Sequence, residues 1–87
     1  MHEAGLMRDL MRKISSLAAA ENARRVSGVS VWLGALSHMS PAHFHEHFSQ
    51  AAAGTLADGA QIRCETSDDI GDPRADSILL LSIETED

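Results

Sequence analysis

The sequence predicts an α+β fold in which two helices pack on a small three-stranded sheet, in the order α-β-α-β-β. Two stretches place apolar residues at the helical steps of three and four, and three stretches have the alternating or continuous apolar character of strands. Glycine, asparagine and aspartate separate these stretches, as is typical of turns. With 87 residues, the chain is expected to form one small domain over residues 1–87, with a thin core.

The first helix is predicted over residues 3–21. Its apolar side chains form one broad face, and charged residues lie mostly on the opposite side. This face consists of Leu6, Met7, Leu10, Met11, Ile14, Leu17 and Ala18. Asn22 is expected to end the helix, because asparagine tolerates the left-handed conformation in which many helices stop.

The middle of the chain predicts a strand and then a second helix. Residues 26–33 alternate with a period of two, which indicates a strand that ends at Gly34. The second helix begins at Ser40-Pro41, because serine is a good helix cap and proline fits the first helical position. Gly54 ends it. Its buried face is expected to consist of Phe44, Phe48, Ala51 and Ala52.

Two more strands are predicted over residues 60–66 and 77–83. The alternation of the first points Cys64 inward, so this thiol is expected to pack as a small buried hydrophobe and not to be a reactive nucleophile. Residues 67–76 are rich in aspartate, with serine, glycine and proline, and are predicted to form a polar loop. Residues 84–87 are expected to form an acidic tail.

Composition limits the classes of function. The net charge of −6 speaks against nucleic acid and anionic membrane as partners. A single cysteine excludes an internal disulfide and any zinc site built on cysteine pairs. The charged start and the lack of a long apolar run predict a cytoplasmic protein. No phosphate-binding glycine loop and no nucleophile motif is present, so we do not expect an enzyme.

Met1, His2 and Glu3 are the candidate metal ligands. The α-amine of Met1, the amide nitrogen of His2 and its imidazole Nδ1 can close a five- and a six-membered chelate ring on one ion. Three nitrogens in a plane suit Ni(II) or Cu(II). The amine and the imidazole have ordinary pKa values of about 8 and 6.5, so both can be unprotonated near neutral pH. The alternative is a frayed terminus with no ligand role.

The second helix carries three histidines, His43, His45 and His47, and His38 precedes it. His43 and His47 are four residues apart, so they share a helix face and could both reach one metal ion. His45 points away from them, which makes three ligands from this helix unfavourable. The alternative is a solvated histidine-rich surface beside the Phe44 and Phe48 stripe.

Several short motifs follow one another in an order found in one known family. They are Met1-His2-Glu3, Ala-Arg-Arg-Val at 23–26, Leu-Gly-Ala-Leu-Ser at 33–37, Pro41, Ala-Gly-Thr-Leu-Ala-Asp-Gly-Ala at 53–60 and Ser-Ile-Glu at 82–84. Each is weak alone, but the ordered set resembles the HypA/HybF family of hydrogenase nickel-insertion proteins. The resemblance covers nearly the whole chain.

The resemblance implies a nickel metallochaperone that delivers Ni(II) during maturation of a nickel enzyme, with the [NiFe]-hydrogenase large subunit as target and a HypB-like GTPase as partner. It implies that Met1, His2 and Glu3 hold the nickel. Family members carry a zinc-ribbon domain with two Cys-x-x-Cys pairs between the last two strands. Here the short loop 67–76 occupies that interval, so no structural zinc is expected, and a short hairpin is expected to close the sheet.

Two alternatives to nickel delivery stay open at this stage. The chain could be a degenerate HypA-like interaction module that keeps the fold and a partner surface without carrying metal. It could also be a metal-binding protein whose ligands are His43 and His47, because this histidine cluster does not match the family pattern.

Overall fold

The computed structural model describes residues 3–87, with side chains from Gly5 onward. Its elements are helix α1 (Glu3–Ala20), strand β1 (Arg25–Leu33), helix α2 (Pro41–Ala52), strand β2 (Gln61–Thr66) and strand β3 (Ile78–Glu86). The predicted α+β class and the α-β-α-β-β order are confirmed. None of the helices in the described part of the chain has the length and hydropathy needed to cross a bilayer.

Helix α1 buries one stripe of its predicted apolar face. Met7, Leu10, Ile14 and Ala18 are at most 5% exposed, whereas Leu17 is 44% exposed and its predicted place in the core stripe is wrong. The buried line continues from Ile14 to Ala18, one helical turn on, and Leu17 falls to the side of it.

Asn22 stops helix α1 by adopting a left-handed backbone conformation. Its φ is 54°, and its N–H donates to the Ala19 carbonyl at 3.1 Å. The N–H of Ala23 donates to the Ala18 carbonyl at 3.0 Å. This pair of bonds is the helix stop that a left-handed residue makes possible, as the asparagine predicted.

Strand β1 is the middle strand of a sheet with the order β2-β1-β3. It pairs in parallel with β2 and antiparallel with β3. The expected hairpin between the last two strands is therefore wrong. In this central position β1 is the most buried strand, with Val26, Val29, Val31 and Leu33 at most 2% exposed. Helix α2 serves as the crossover that a parallel pair needs.

Strand β3 extends to Glu86, so the acidic tail predicted from residue 84 is largely strand. Glu84 lies opposite Gly28, and Glu86 lies opposite Arg25. Both carboxylates have a basic partner: Glu84 forms an ion pair with Arg63 of β2, and Glu86 lies 3.9 Å from the Arg25 guanidinium. These ion pairs between strands compensate the negative charge of Glu84 and Glu86, from which a tail was predicted.

The two helices pack on one face of the sheet. The largest fully buried side chains are Ile14, Val26, Val29, Val31, Leu33, Phe44 and Phe48. The predicted cap of α2 is present, because the His43 N–H donates to Ser40 Oγ at 3.1 Å. Gly54 ends the helix region with a φ of 78°, and its N–H donates to the Asp58 carboxylate at 3.0 Å.

The loop between β2 and β3 crosses the end of β1 and is held there by backbone bonds. The Gly34 N–H donates to the Ser77 carbonyl at 2.9 Å, and the Leu36 N–H donates to the Ala75 carbonyl at 2.7 Å. Ala75 is 3% exposed. These bonds join the loop to the β1–α2 connection.

Candidate metal site

The predicted nickel ligands are the first three residues of the sequence. Met1 and His2 are outside the described residues, and Glu3 is the first residue of α1. The helix that follows is firmly placed, since Met7 and Leu10 are 4% and 5% exposed. The site predicted at residues 1–3 therefore includes the first residue of α1, about one turn before the buried Met7.

Helix α2 arranges its side chains in four rows that differ in burial. Phe44 and Phe48 lie in the buried row, and His45 lies in an exposed one. His43 and His47 lie in a third row, on the other side of the phenylalanines from His45, where side chains are half-buried. Because residues four apart stand one above the other on a helix, this row brings the two imidazoles together beside the core.

The two imidazoles are in direct contact. The Nε2 atoms of His43 and His47 are 2.7 Å apart, and the ring centroids are 4.4 Å apart with an interplanar angle of 47°. One Nε2 donates a hydrogen bond and the other accepts it, and the assignment depends on the tautomers. The predicted shared face of His43 and His47 is confirmed.

The remaining histidines are separate from this pair. The His45 Nδ1 lies 3.5 Å from the Ser49 hydroxyl, on the exposed side of α2, as predicted. His38 is exposed and lies in the β1–α2 loop, with a φ of 58°. Among the side chains that the structure describes, no group of three or more histidine, cysteine or acidic residues is placed to hold a metal ion.

A cleft of about 640 Å³ lies between α1, the β1–α2 loop and the start of β3. Asp9 and Lys13 line it from the helix, and Asp76 lines it from the opposite side. Ser37 also faces the cleft, and its buried hydroxyl has no hydrogen-bond partner among the described residues. Sequence reasoning missed this cleft, because its walls come from three separate segments and no local pattern marks them.

Cys64 packs as the alternation of β2 predicted. It is half-buried, contacts the core and lies opposite Val31 in the parallel register. Burial raises the pKa of the Cys64 thiol. The thiolate, which is the nucleophilic and metal-binding form, is therefore disfavoured at neutral pH.

The comparison with solved structures agrees with this fold. The solution structure of the Ni metallochaperone HypA from Helicobacter pylori superposes with a TM-score of 0.80 at 16% sequence identity, covering 99% of this chain and 98% of that one. A second solution structure of a HypA protein superposes with a TM-score of 0.68 at 18% identity. At these identities the likeness establishes the fold.

Two sequence relatives are similar over about three quarters of the chain. The hydrogenase maturation factor HypA of Picosynechococcus sp. is 33% identical over 66 residues, and that of Chlorobium limicola is 34% identical over 65 residues. The matched segments cover 76% and 75% of this chain but only 58% and 56% of the two relatives. The chain thus corresponds to little more than half the length of these proteins.

The family comparison is the most extensive. A family model described as hydrogenase/urease nickel incorporation, metallochaperone, HypA matches residues 1–71. This match begins at the first residue, includes α1, β1, α2 and β2, and ends within the loop that precedes β3. The resemblance found in the sequence motifs is therefore confirmed, and the chain belongs to the HypA family.

Proposed function

We propose that this chain is a nickel metallochaperone that delivers Ni(II) during the maturation of a nickel enzyme, with [NiFe]-hydrogenase as its first candidate target. The observation that carries the proposal is the family match from residue 1, in which the chelating sequence Met1-His2-Glu3 starts the matched segment. Nickel is cargo in this function. The chain would bind and release it without catalysing a reaction.

The proposed ligands are the α-amine of Met1 and the amide nitrogen and imidazole Nδ1 of His2, with Glu3 as a fourth donor or an outer contact. Three nitrogens joined by fused chelate rings match the planar geometry that Ni(II) favours. The carboxylate of Glu3 and the ionised amide would compensate the ion's charge beside the positive end of the α1 dipole, an effect of about 0.3–1 kcal/mol.

The position of these residues suits transfer. A metal bound before the first turn of α1 can be exchanged without opening the core, because Met7 is the first buried side chain among the described residues of this helix. Rapid release requires ligands that a partner can displace one after another. A terminal amine, an amide and one imidazole satisfy that requirement better than a closed cage of core side chains would.

The partners proposed from the family are a HypB-like GTPase and the large subunit of the target enzyme. We propose that residues 1–87 act as a single nickel-binding domain in which loop 67–76 replaces the zinc-binding half. A function that depends on the zinc-binding half would then be missing. The alternative is an interaction module that keeps the fold without carrying metal, and the titration below separates the two.

The decisive experiment is nickel titration of protein with a native N-terminus, compared with protein that has three residues added before Met1. Three residues separate the α-amine from the His2 imidazole, whereas a single one would form a new planar chelate with the imidazole, so we expect nickel affinity to fall about a hundredfold or more. The same three residues added after Asp87 are the matched control and should leave affinity unchanged. Equal affinity in all three proteins would refute the Met1-His2-Glu3 site, and no tight binding in any of them would favour the interaction module.

A further inference from the structure

We infer that strand β2 pairs, along its free edge, with β2 of a second copy of this chain, so that the two sheets join into one across a twofold axis. The inference goes beyond nickel delivery and does not depend on residues 1–3. It rests on the direction in which the backbone groups of β2 point and on the order of its side chains. The interface is the β2 edge, Gln61–Thr66.

The backbone groups of β2 point alternately toward β1 and away from it. The Ser67 N–H donates to the Leu33 carbonyl at 3.0 Å, and this bond fixes the phase of the alternation. Because β2 is an outer strand of the sheet, every second residue directs its N–H and C=O to the free edge. Within the described part of the chain, these outward groups form no hydrogen bond. The residues that carry them are Ile62, Cys64 and Thr66.

The sequence of β2 is complementary to itself when two copies run antiparallel about Cys64. Cys64 then lies opposite Cys64 of the second copy, Ile62 lies opposite Thr66, and Arg63 lies opposite Glu65. The first two kinds of pair have outward backbone groups on both strands, so each exchanges two hydrogen bonds. The Arg63–Glu65 pair is of the type without backbone hydrogen bonds, in which opposite side chains come closest.

The charged side chains of the β2 edge attract each other in this arrangement. Arg63 and Glu65 are both exposed, and they share a face of the strand because they are two residues apart. Arg63 of each copy meets Glu65 of the other, so the twofold axis makes this pair twice. Arg63 also forms an ion pair with Glu84 of its own sheet. A guanidinium has five N–H donors and can bind both carboxylates.

The opposite edge of the sheet, formed by β3, is less suited to pairing. The register between β3 and β1 shifts at two places, and such irregularities protect an edge from further strands. The charged residues of β3 are Glu84 and Glu86, so two copies of this strand bring no opposite charges together. Strand β2 pairs with β1 without a shift and contains neither proline nor lysine, which are the residues that commonly guard edges.

Sedimentation of the native chain over a concentration series measures the association, and we expect a monomer–dimer equilibrium. The variants Arg63→Glu and Glu65→Arg each place like charges opposite one another, so each should weaken association about tenfold or more. An equimolar mixture of the two variants pairs opposite charges again and should restore association. Glu84→Gln changes a charge away from the edge and, as the matched control, should not weaken it. Circular dichroism verifies that each variant is folded.

Amide hydrogen exchange tests the backbone pairing. The three outward N–H groups of β2 should exchange more slowly as the protein concentration rises, because dimerisation gives them acceptors. The Leu80 N–H is the control at the other edge. The Ser77 carbonyl accepts from the Gly34 N–H, so Leu80, three residues further on, points away from β1. Its exchange should not depend on concentration.

The mixture of variants separates edge pairing from a change within one chain. Both single variants lose the Arg63–Glu65 attraction between copies, but only a true interface recovers it when they are combined. A chain that stays monomeric up to about 1 mM, a dimer that survives in both single variants, or a mixture that does not associate would overturn the inference. None of these outcomes affects the nickel proposal, because residues 1–3 are unchanged throughout.

Discussion

The backbone of Gly34 touches the backbone of Ala75. A Cβ atom on residue 34 would lie 2.2 Å from the Ala75 carbonyl oxygen and 2.9 Å from that of Arg74. Only glycine leaves room for this approach, which lets the loop before β3 close over the end of β1. This contact accounts for the glycine after β1 more fully than the general preference of glycine for turns.

Replacing Gly34 by alanine should destabilise the protein by about 1–3 kcal/mol, because the added methyl group meets backbone atoms that cannot rotate away. Gly5→Ala is the matched control. Residue 5 lies in α1, and no described atom lies within 4 Å of a Cβ built there. That variant should be unchanged or more stable by up to about 1 kcal/mol. Urea unfolding followed by circular dichroism measures both, and equal stability of the two variants would contradict the contact.

Nickel affinity should fall steeply between about pH 8 and pH 6 if the α-amine and imidazole are ligands. Both groups must be free of protons to bind, and their ordinary pKa values of about 8 and 6.5 fall within this range. Titrations at three or more pH values test this expectation. A flat profile would indicate carboxylate ligands, which are already ionised throughout this range.

The protein should stay folded in excess chelator. With Cys64 as its single cysteine, it has no cysteine pair for the kind of zinc site that holds small domains together. The core of aliphatic residues and two phenylalanines should suffice on its own. Circular dichroism with and without chelator checks this, and loss of helix signal on chelation would show that a metal is structural.

Cys64 should react slowly with thiol reagents near pH 7.5, because burial raises the pKa of its thiol and lowers the thiolate fraction. The same protein in urea supplies the control, in which the reaction should be faster. The raised pKa of the Cys64 thiol also makes the stability of the fold depend on pH. The neutral thiol favours the folded state below the ordinary pKa of about 8.5, and this contribution is lost as the pH rises through the folded value.

The helices and strands could be predicted because their patterns are local. The cap at Ser40, the stop at Asn22 and the alternation around Val29 and Val31 each depend on a few neighbouring residues, and all of them are present in the structure. The His43–His47 contact was predictable for the same reason, since a spacing of four on a helix places two side chains together.

The order of the strands was not predictable from such patterns. Two strands joined by a short loop usually pair as a hairpin, but here β1 takes both outer strands as its partners. That choice depends on how the whole sheet packs against both helices, which is not a local property of any one strand. The contact of Gly34 with Ala75 and the burial of the Ser37 hydroxyl depend on the same long-range arrangement, and no sequence pattern marks them.

The central position of β1 has a consequence for how this fold can vary. The registers of β2 and β3 are both set by β1, through pairs such as Val31 with Cys64 and Val31 with Leu80. The segment between the outer strands sets neither register, whereas in a hairpin the turn length would fix the pairing. Residues 67–77 can therefore differ in length, or be exchanged for an entire folded unit, while every pair in the sheet is kept. The same segment is the natural place for an engineered insertion, provided that the backbone contact at Ala75 is preserved.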